Sequence, residues 1–83
     1  MKHARSDALD ELEPLLSRLR QLALTERSRG VFYRGSKAFL HFHEDPAGLF
    51  ADVRLDGVEF ERRRATTKRE QDDLVRLVRI ALG

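Results

Sequence analysis

Two dipeptides constrain this chain more than any other feature: Gly35-Ser36 and Asp56-Gly57. Each stands between runs in which apolar and polar residues alternate. Each also suits a two-residue reversal, type II′ for Gly35-Ser36 and type I′ for Asp56-Gly57. Glu44-Asp45-Pro46-Ala47-Gly48 makes a longer turn between them. The three turns cut the middle of the chain into four strands, Gly30–Arg34, Lys37–His43, Leu49–Leu55 and Val58–Arg63. Connections this short join antiparallel neighbours, so the strands form a meander.

A helix is expected on each side of the meander. Leu9, Leu12, Leu15, Leu16, Leu19, Leu22 and Ala23 recur at helical spacing. Pro14 lies opposite this stripe, where an interior proline costs roughly 3 kcal/mol. Either the helix starts late, with Asp10 as N-cap and Glu13 completing a capping pair, or a longer helix is kinked at the proline. The expected regular segment runs from Glu11 to Leu24. The second helix opens on Thr67-Lys68-Arg69-Glu70, a capping box, and runs from Lys68 to Leu82. Leu74, Val75, Leu77, Val78, Ala81 and Leu82 form its apolar face, and Ile80 falls off it. The expected fold is α+β, a four-stranded antiparallel meander with two helices on one face, in the order α-β-β-β-β-α.

Size fits one domain spanning residues 1–83, with 41% hydrophobic residues. A chain this short buries only about 60% of the surface it exposes when unfolded. The absence of cysteine excludes disulfides, thiolate nucleophiles and thiolate metal sites. No apolar run exceeds three residues, so no membrane span or membrane partner is expected. Met1-Lys2-His3-Ala4-Arg5-Ser6-Asp7 lacks the apolar segment of a secretion signal, which makes the cytoplasm the expected compartment. Sixteen Lys and Arg against fourteen Asp and Glu leave a net charge of only +2, thin support for nucleic-acid binding. No phosphate-binding glycine loop, nucleophile motif or cofactor motif is present, so neither catalysis nor a bound cofactor is expected.

Pairing fixes faces. The two tight turns set Tyr33 against Ala38, Val31 against Leu40, Val53 against Phe60, and Asp52 against Glu61. One face then gathers Val31, Tyr33, Ala38, Leu40, Phe42, Leu49, Ala51, Val53, Leu55, Val58 and Phe60 as the helix-covered core. The other gathers Phe32, Arg34, Lys37, Phe39, His41, His43, Phe50, Asp52, Arg54, Glu59, Glu61 and Arg63. No element remains to cover that second face. Phe32, Phe39 and Phe50 would therefore form an exposed patch, with Arg34, Arg54 and Glu61 at its rim, suited to a homodimer interface. The plainer alternative is that the rings serve only strand propensity and cross-strand packing.

Two further constellations carry chemistry. His41-x-His43 sets two imidazoles on one strand face, about 6.5–7 Å apart along the strand. Asp52 can sit across from His41, completing a two-histidine, one-carboxylate metal-ligand set. Any strand with histidines two apart matches this spacing, and half-buried neutral histidines stacked on Phe39 and Phe50 satisfy it equally. Arg62, Arg63, Arg64, Lys68 and Arg69 gather five cations at the start of the second helix, whose N-terminus favours anions. Arg27, Arg29 and His43 fall at the same end of the sheet. A phosphate or a nucleic-acid backbone could bind there, against the alternative of a solvated rim paired to Glu59, Glu61 and Glu70.

The run Gly30-Val31-Phe32-Tyr33-Arg34-Gly35-Ser36-Lys37-Ala38-Phe39-Leu40-His41-Phe42-His43, followed by Ala51-Asp52-Val53-Arg54-Leu55, resembles small bacterial α+β proteins. It is similar to the MmcQ/YjbR-like group, in which a hairpin with a Gly-x-Lys-x-Phe turn follows a helix. The similarity covers residues 19–60. The resemblance implies an α+β domain of a group labelled DNA-binding by structural analogy, and it transfers no site residue.

Overall fold

The computed structural model describes residues 2–83. Its elements are β1 (Lys2–His3), α1 (Ser6–Leu19), β2 (Thr25–Ser28), β3 (Val31–Arg34), β4 (Lys37–Asp45), β5 (Gly48–Val53), β6 (Glu61–Arg64) and α2 (Lys68–Leu82). The sheet is antiparallel, in the order β2-β3-β4-β5-β6, and β1 pairs with the far end of β4. The α+β class and the meander are as expected, with β1 and β2 as additional strands. Among the described residues, no helix is long and apolar enough to cross a membrane.

α2 has the bounds expected for it. Thr67 accepts from the Glu70 backbone, and the Glu70 carboxylate accepts from the Thr67 backbone, so two N-terminal amides are satisfied. Leu74, Val75 and Val78 are buried, while Ile80 is 67% exposed.

α1 departs from expectation at both ends. It starts at Ser6, passes through Pro14 and stops at Leu19, not Leu24. An interior proline removes one helix hydrogen bond at a cost of roughly 3 kcal/mol. Burial of Leu12, Leu15, Leu16 and Leu19 offsets it, at about 1.5–3 kcal/mol per side chain. Beyond Leu19 the backbone tightens into short turns, with Leu22 N–H donating to Leu19 O at 3.0 Å. The chain then extends into the edge strand β2.

The Gly35-Ser36 reversal forms as expected. Gly35 has φ +63°, Arg34 pairs with Lys37, and Tyr33 pairs with Ala38. The next pair is Phe32 with Leu40, not Val31 with Leu40. Phe39 is thus the extra residue of a bulge, which changes the phase of β3 relative to β4. Phe32 (0% exposed) and Phe39 (2%) consequently lie in the core under the helices, not on the open face. Val31 and Tyr33, expected in the core, are half-buried.

Asp56-Gly57 does not make a two-residue hairpin. The Asp56 carboxylate accepts from the backbone amides of Val58 (2.8 Å) and Glu59 (3.0 Å), and this side-chain turn opens a loop over residues 54–60. β6 therefore enters one residue later than expected: Val53 pairs with Glu61, and Asp52 with Arg62. A slip of one residue exchanges the faces of a strand. Val58 (71% exposed) and Phe60 (37%) leave the core. Arg62 replaces Glu61 beside Asp52, while Glu61 and Arg63 fall beside Val53 and Ala51.

One cluster holds the core: the buried residues of α1 and α2 together with Phe32, Phe39, Leu40, Phe42, Leu49, Ala51, Val53 and Ala65. Leu40, Phe42, Leu49, Ala51 and Val53 stand in it as expected. An Arg18–Asp72 ion pair at 2.6 Å ties the two helices together.

Candidate metal centre

The uncovered face of the sheet presents an ordered lattice of side chains. Across the strands, His3 of β1 stands opposite His43 of β4, His43 opposite Phe50 of β5, and Phe50 opposite Arg64 of β6. In the adjacent row, His41 stands opposite Asp52, and Asp52 opposite Arg62. Alternation along β4 puts both histidines of His41-x-His43 on this face while Leu40 and Phe42 enter the core.

The expected set His41, His43 and Asp52 is brought together. Asp52 Oδ2 lies 2.9 Å from His43 Nε2 and 3.4 Å from His41 Nε2. One ligand atom from each of the three residues lies within 4.8 Å of the others. His43 and Asp52 are buried, and His41 is half-buried. Burial holds the His41 imidazole below its ordinary 6.5, against the opposing pull of the Asp52 charge. Hydrogen bonds from Arg62 hold the Asp52 carboxyl below 3.8. The set is therefore two imidazoles and an ionised carboxylate, with burial favouring the neutral His41 ring, which keeps one nitrogen lone pair for a metal.

Arg62 spans Asp52, donating from Nε to Oδ1 at 2.8 Å and from Nη2 to Oδ2 at 3.0 Å. This bidentate pair fixes the carboxylate plane. Neither ring nitrogen of His43 makes a well-directed hydrogen bond, although both are shut off from solvent and Nε2 is near Asp52. A buried ring nitrogen 2.9 Å from a carboxylate oxygen needs a positive centre between them, either its own proton or a metal cation. Zinc–nitrogen bonds of 2.0–2.1 Å place two ligands of one tetrahedral ion roughly 3.3 Å apart. The separations of 2.9 and 3.4 Å at Asp52 bracket that value.

Two neighbours escaped the sequence reading. His3 stacks on His43, with ring centroids 4.7 Å apart, and lies 5.7 Å from His41. Its signal in the sequence was weak, since nothing local pairs a two-residue strand with β4. Phe60, expected in the core, stands edge-on to His41 at 5.1 Å, and the Arg54 guanidinium lies over the Phe60 ring, 4.3 Å from its centroid. The displaced register of β6 is what sends it there.

The expected interface patch does not assemble. Phe32 and Phe39 are core residues, and only Phe50 remains on the open face, half-buried with the Arg64 guanidinium 5.9 Å from its ring. Arg34 turns to the helix layer, donating to Ala81 O at the end of α2. Arg54 engages Phe60, and Glu61 pairs with Arg63 at 2.8 Å.

The five cations of the proposed anion site are largely paired. Arg62 is held by Asp52, Arg63 by Glu61, Arg64 by Glu70 and Ala47 O, and Lys68 by Asp72. Arg69 has no ion pair among the described residues. Glu70 and Asp73 line the same groove as Arg62, Arg63 and Arg64, so its charge is mixed. Arg29 is occupied by Asp10 and Glu13, and Arg27 lies over the Tyr33 ring.

Comparison with protein-family models, curated proteins and solved structures returns no match.

Proposed function

We propose that this domain binds a divalent transition metal on its open sheet face, with zinc the best fit, through His41, His43 and Asp52. The observation that carries this reading is the convergence of His41 Nε2 and the buried His43 Nε2 on one oxygen of the ionised Asp52 carboxylate, at 3.4 and 2.9 Å. Two nitrogens and one oxygen are a borderline-soft donor set, suited to zinc over calcium or magnesium. A strand pair is a rigid support: His41 and Asp52 are fixed opposite each other by the β4–β5 ladder, and His43 by its place two residues along. Arg62 serves as the outer group that orients the carboxylate.

Three protein donors leave one position of a tetrahedral ion for a fourth ligand. The face is shallow, and no nucleophile stands near it, so the reading is metal binding without an assigned reaction. Calorimetric titration of the tag-free protein with Zn²⁺ tests it, with His43→Ala as the control. Binding by the wild type and its loss in the variant are expected. Zinc at 100 times its Kd would raise stability by about 2.7 kcal/mol, visible as a thermal shift. No heat and no shift with Zn²⁺, Co²⁺ or Ni²⁺ would overturn the reading.

A further inference from the structure

We infer that His3 enters the same metal site as a fourth ligand, so that metal binding clasps the N-terminal strand onto the sheet. The inference rests on the metal reading above and adds to it a closed coordination shell and a conformational consequence.

Three observations carry it. The backbone of His3 is fixed directly opposite His43 by the β1–β4 ladder, so its side chain shares the face of His41, His43 and Asp52. Its ring already lies against the cluster, 4.7 Å from the His43 ring and 5.7 Å from that of His41. The side chain is exposed, so its χ angles can change without disturbing the core. Three imidazoles and one carboxylate give four donors of types that zinc accepts, which closes a tetrahedral shell. A closed shell is the mark of a structural or regulatory site, whereas three ligands leave a position for water.

The consequence for the chain follows from linkage. β1 is only two residues long and both are exposed. Beyond the ladder, it is held by Ala4 N–H donating to Phe42 O at 3.1 Å and Arg5 N–H donating to Glu44 Oε2 at 2.7 Å. Elements with so little burial open locally at low free-energy cost. A metal that gains a ligand only when β1 is docked binds the docked state more tightly and shifts the equilibrium towards it.

The experiment compares tag-free wild type with His3→Gln, by Zn²⁺ titration and by hydrogen exchange at the Ala4 amide with and without zinc. His3 is exposed, so the variant retains the core. Zinc should slow exchange at Ala4 in the wild type and not in His3→Gln. Affinity in the variant should fall by more than about tenfold, the lower end of what losing even a supporting outer group costs. Equal zinc affinity in both proteins, or no zinc effect on Ala4 exchange in the wild type, overturns the clasp and leaves the three-ligand site standing. Failure of the wild type to bind zinc removes the metal reading itself, and the clasp with it.

Discussion

Asp52 and Arg62 stand directly opposite each other on neighbouring strands and are joined by two hydrogen bonds, at 2.8 and 3.0 Å. The carboxylate is buried while the guanidinium is half-exposed. Arg62 thus ionises and orients Asp52 from the solvent side, leaving the histidine side of the carboxylate to the proposed metal. Replacing Arg62 with Gln should raise the Asp52 pKa towards 3.8 and weaken zinc binding by roughly 10–100-fold. The Asp52 pKa is depressed on folding, so its stabilising contribution is present above pH 3.8 and lost as pH falls through the lowered value. Arg62→Gln should therefore lower stability at pH 7 and have much less effect at strongly acid pH. Urea unfolding at the two pH values, in the absence of metal, checks this.

The bulge at Phe39 makes a prediction opposite to that of an unbroken hairpin. Phe39→Ala should cost about 3–5 kcal/mol, the price of emptying a packed aromatic site. Phe60→Ala should change stability by under about 1 kcal/mol, because its ring is 37% exposed and lies outside the core, against His41 and Arg54. Guanidinium unfolding of the two variants distinguishes the observed register from the regular one. Comparable losses in both would contradict it.

Gly48 opens β5 at φ +136°, and an added Cβ would lie 2.5 Å from Thr66 Oγ1. That hydroxyl accepts from Leu49 N–H at 2.8 Å and donates to Leu49 O at 3.0 Å, tying the approach to α2 onto β5. Gly48→Ala should therefore combine backbone strain with loss of both bonds and cost about 1–3 kcal/mol. Faster exchange of the Leu49 amide should accompany the drop in melting temperature. An unchanged Tm would show that this contact is dispensable.

Glu13 on α1 accepts from both Arg20 and Arg29, and these hydrogen bonds hold its carboxyl down at about 2. Arg20 continues to Glu26 of β2, and Arg29 to Asp10, so the chain of charges joins the helix to the sheet edge. The contribution of Glu13 to stability is present above pH 4.5 and disappears as pH falls through about 2. A carboxyl-detected NMR titration should find Glu13 titrating well below 4.5, at about 2. Arg29→Gln should move it upward, and an ordinary midpoint in the wild type would contradict the network.

The parts of this fold governed by local chemistry were legible in the residues. The capping box at Thr67 placed α2, the Gly35-Ser36 pair placed the first reversal, and alternation along β4 and β5 put His41, His43 and Asp52 on one face. The errors came where a single residue changes the count. Phe39 bulges because two consecutive apolar side chains both reach the core. Asp56 folds back on its own backbone, which delays β6 by one position and exchanges Glu61 for Arg62 beside Asp52.

By itself, then, the amino-acid sequence determined the α+β class, the meander, the second helix and the placing of His41, His43 and Asp52 on one face, since these depend on periodicities and turn chemistry spanning a few positions. The tertiary structure alone decided which phenylalanines are buried, that Arg62 holds Asp52, and that His3 lies beside His43. Each of those follows from pairing between segments distant in the chain, where a shift of one residue inverts a face and no local pattern records the shift.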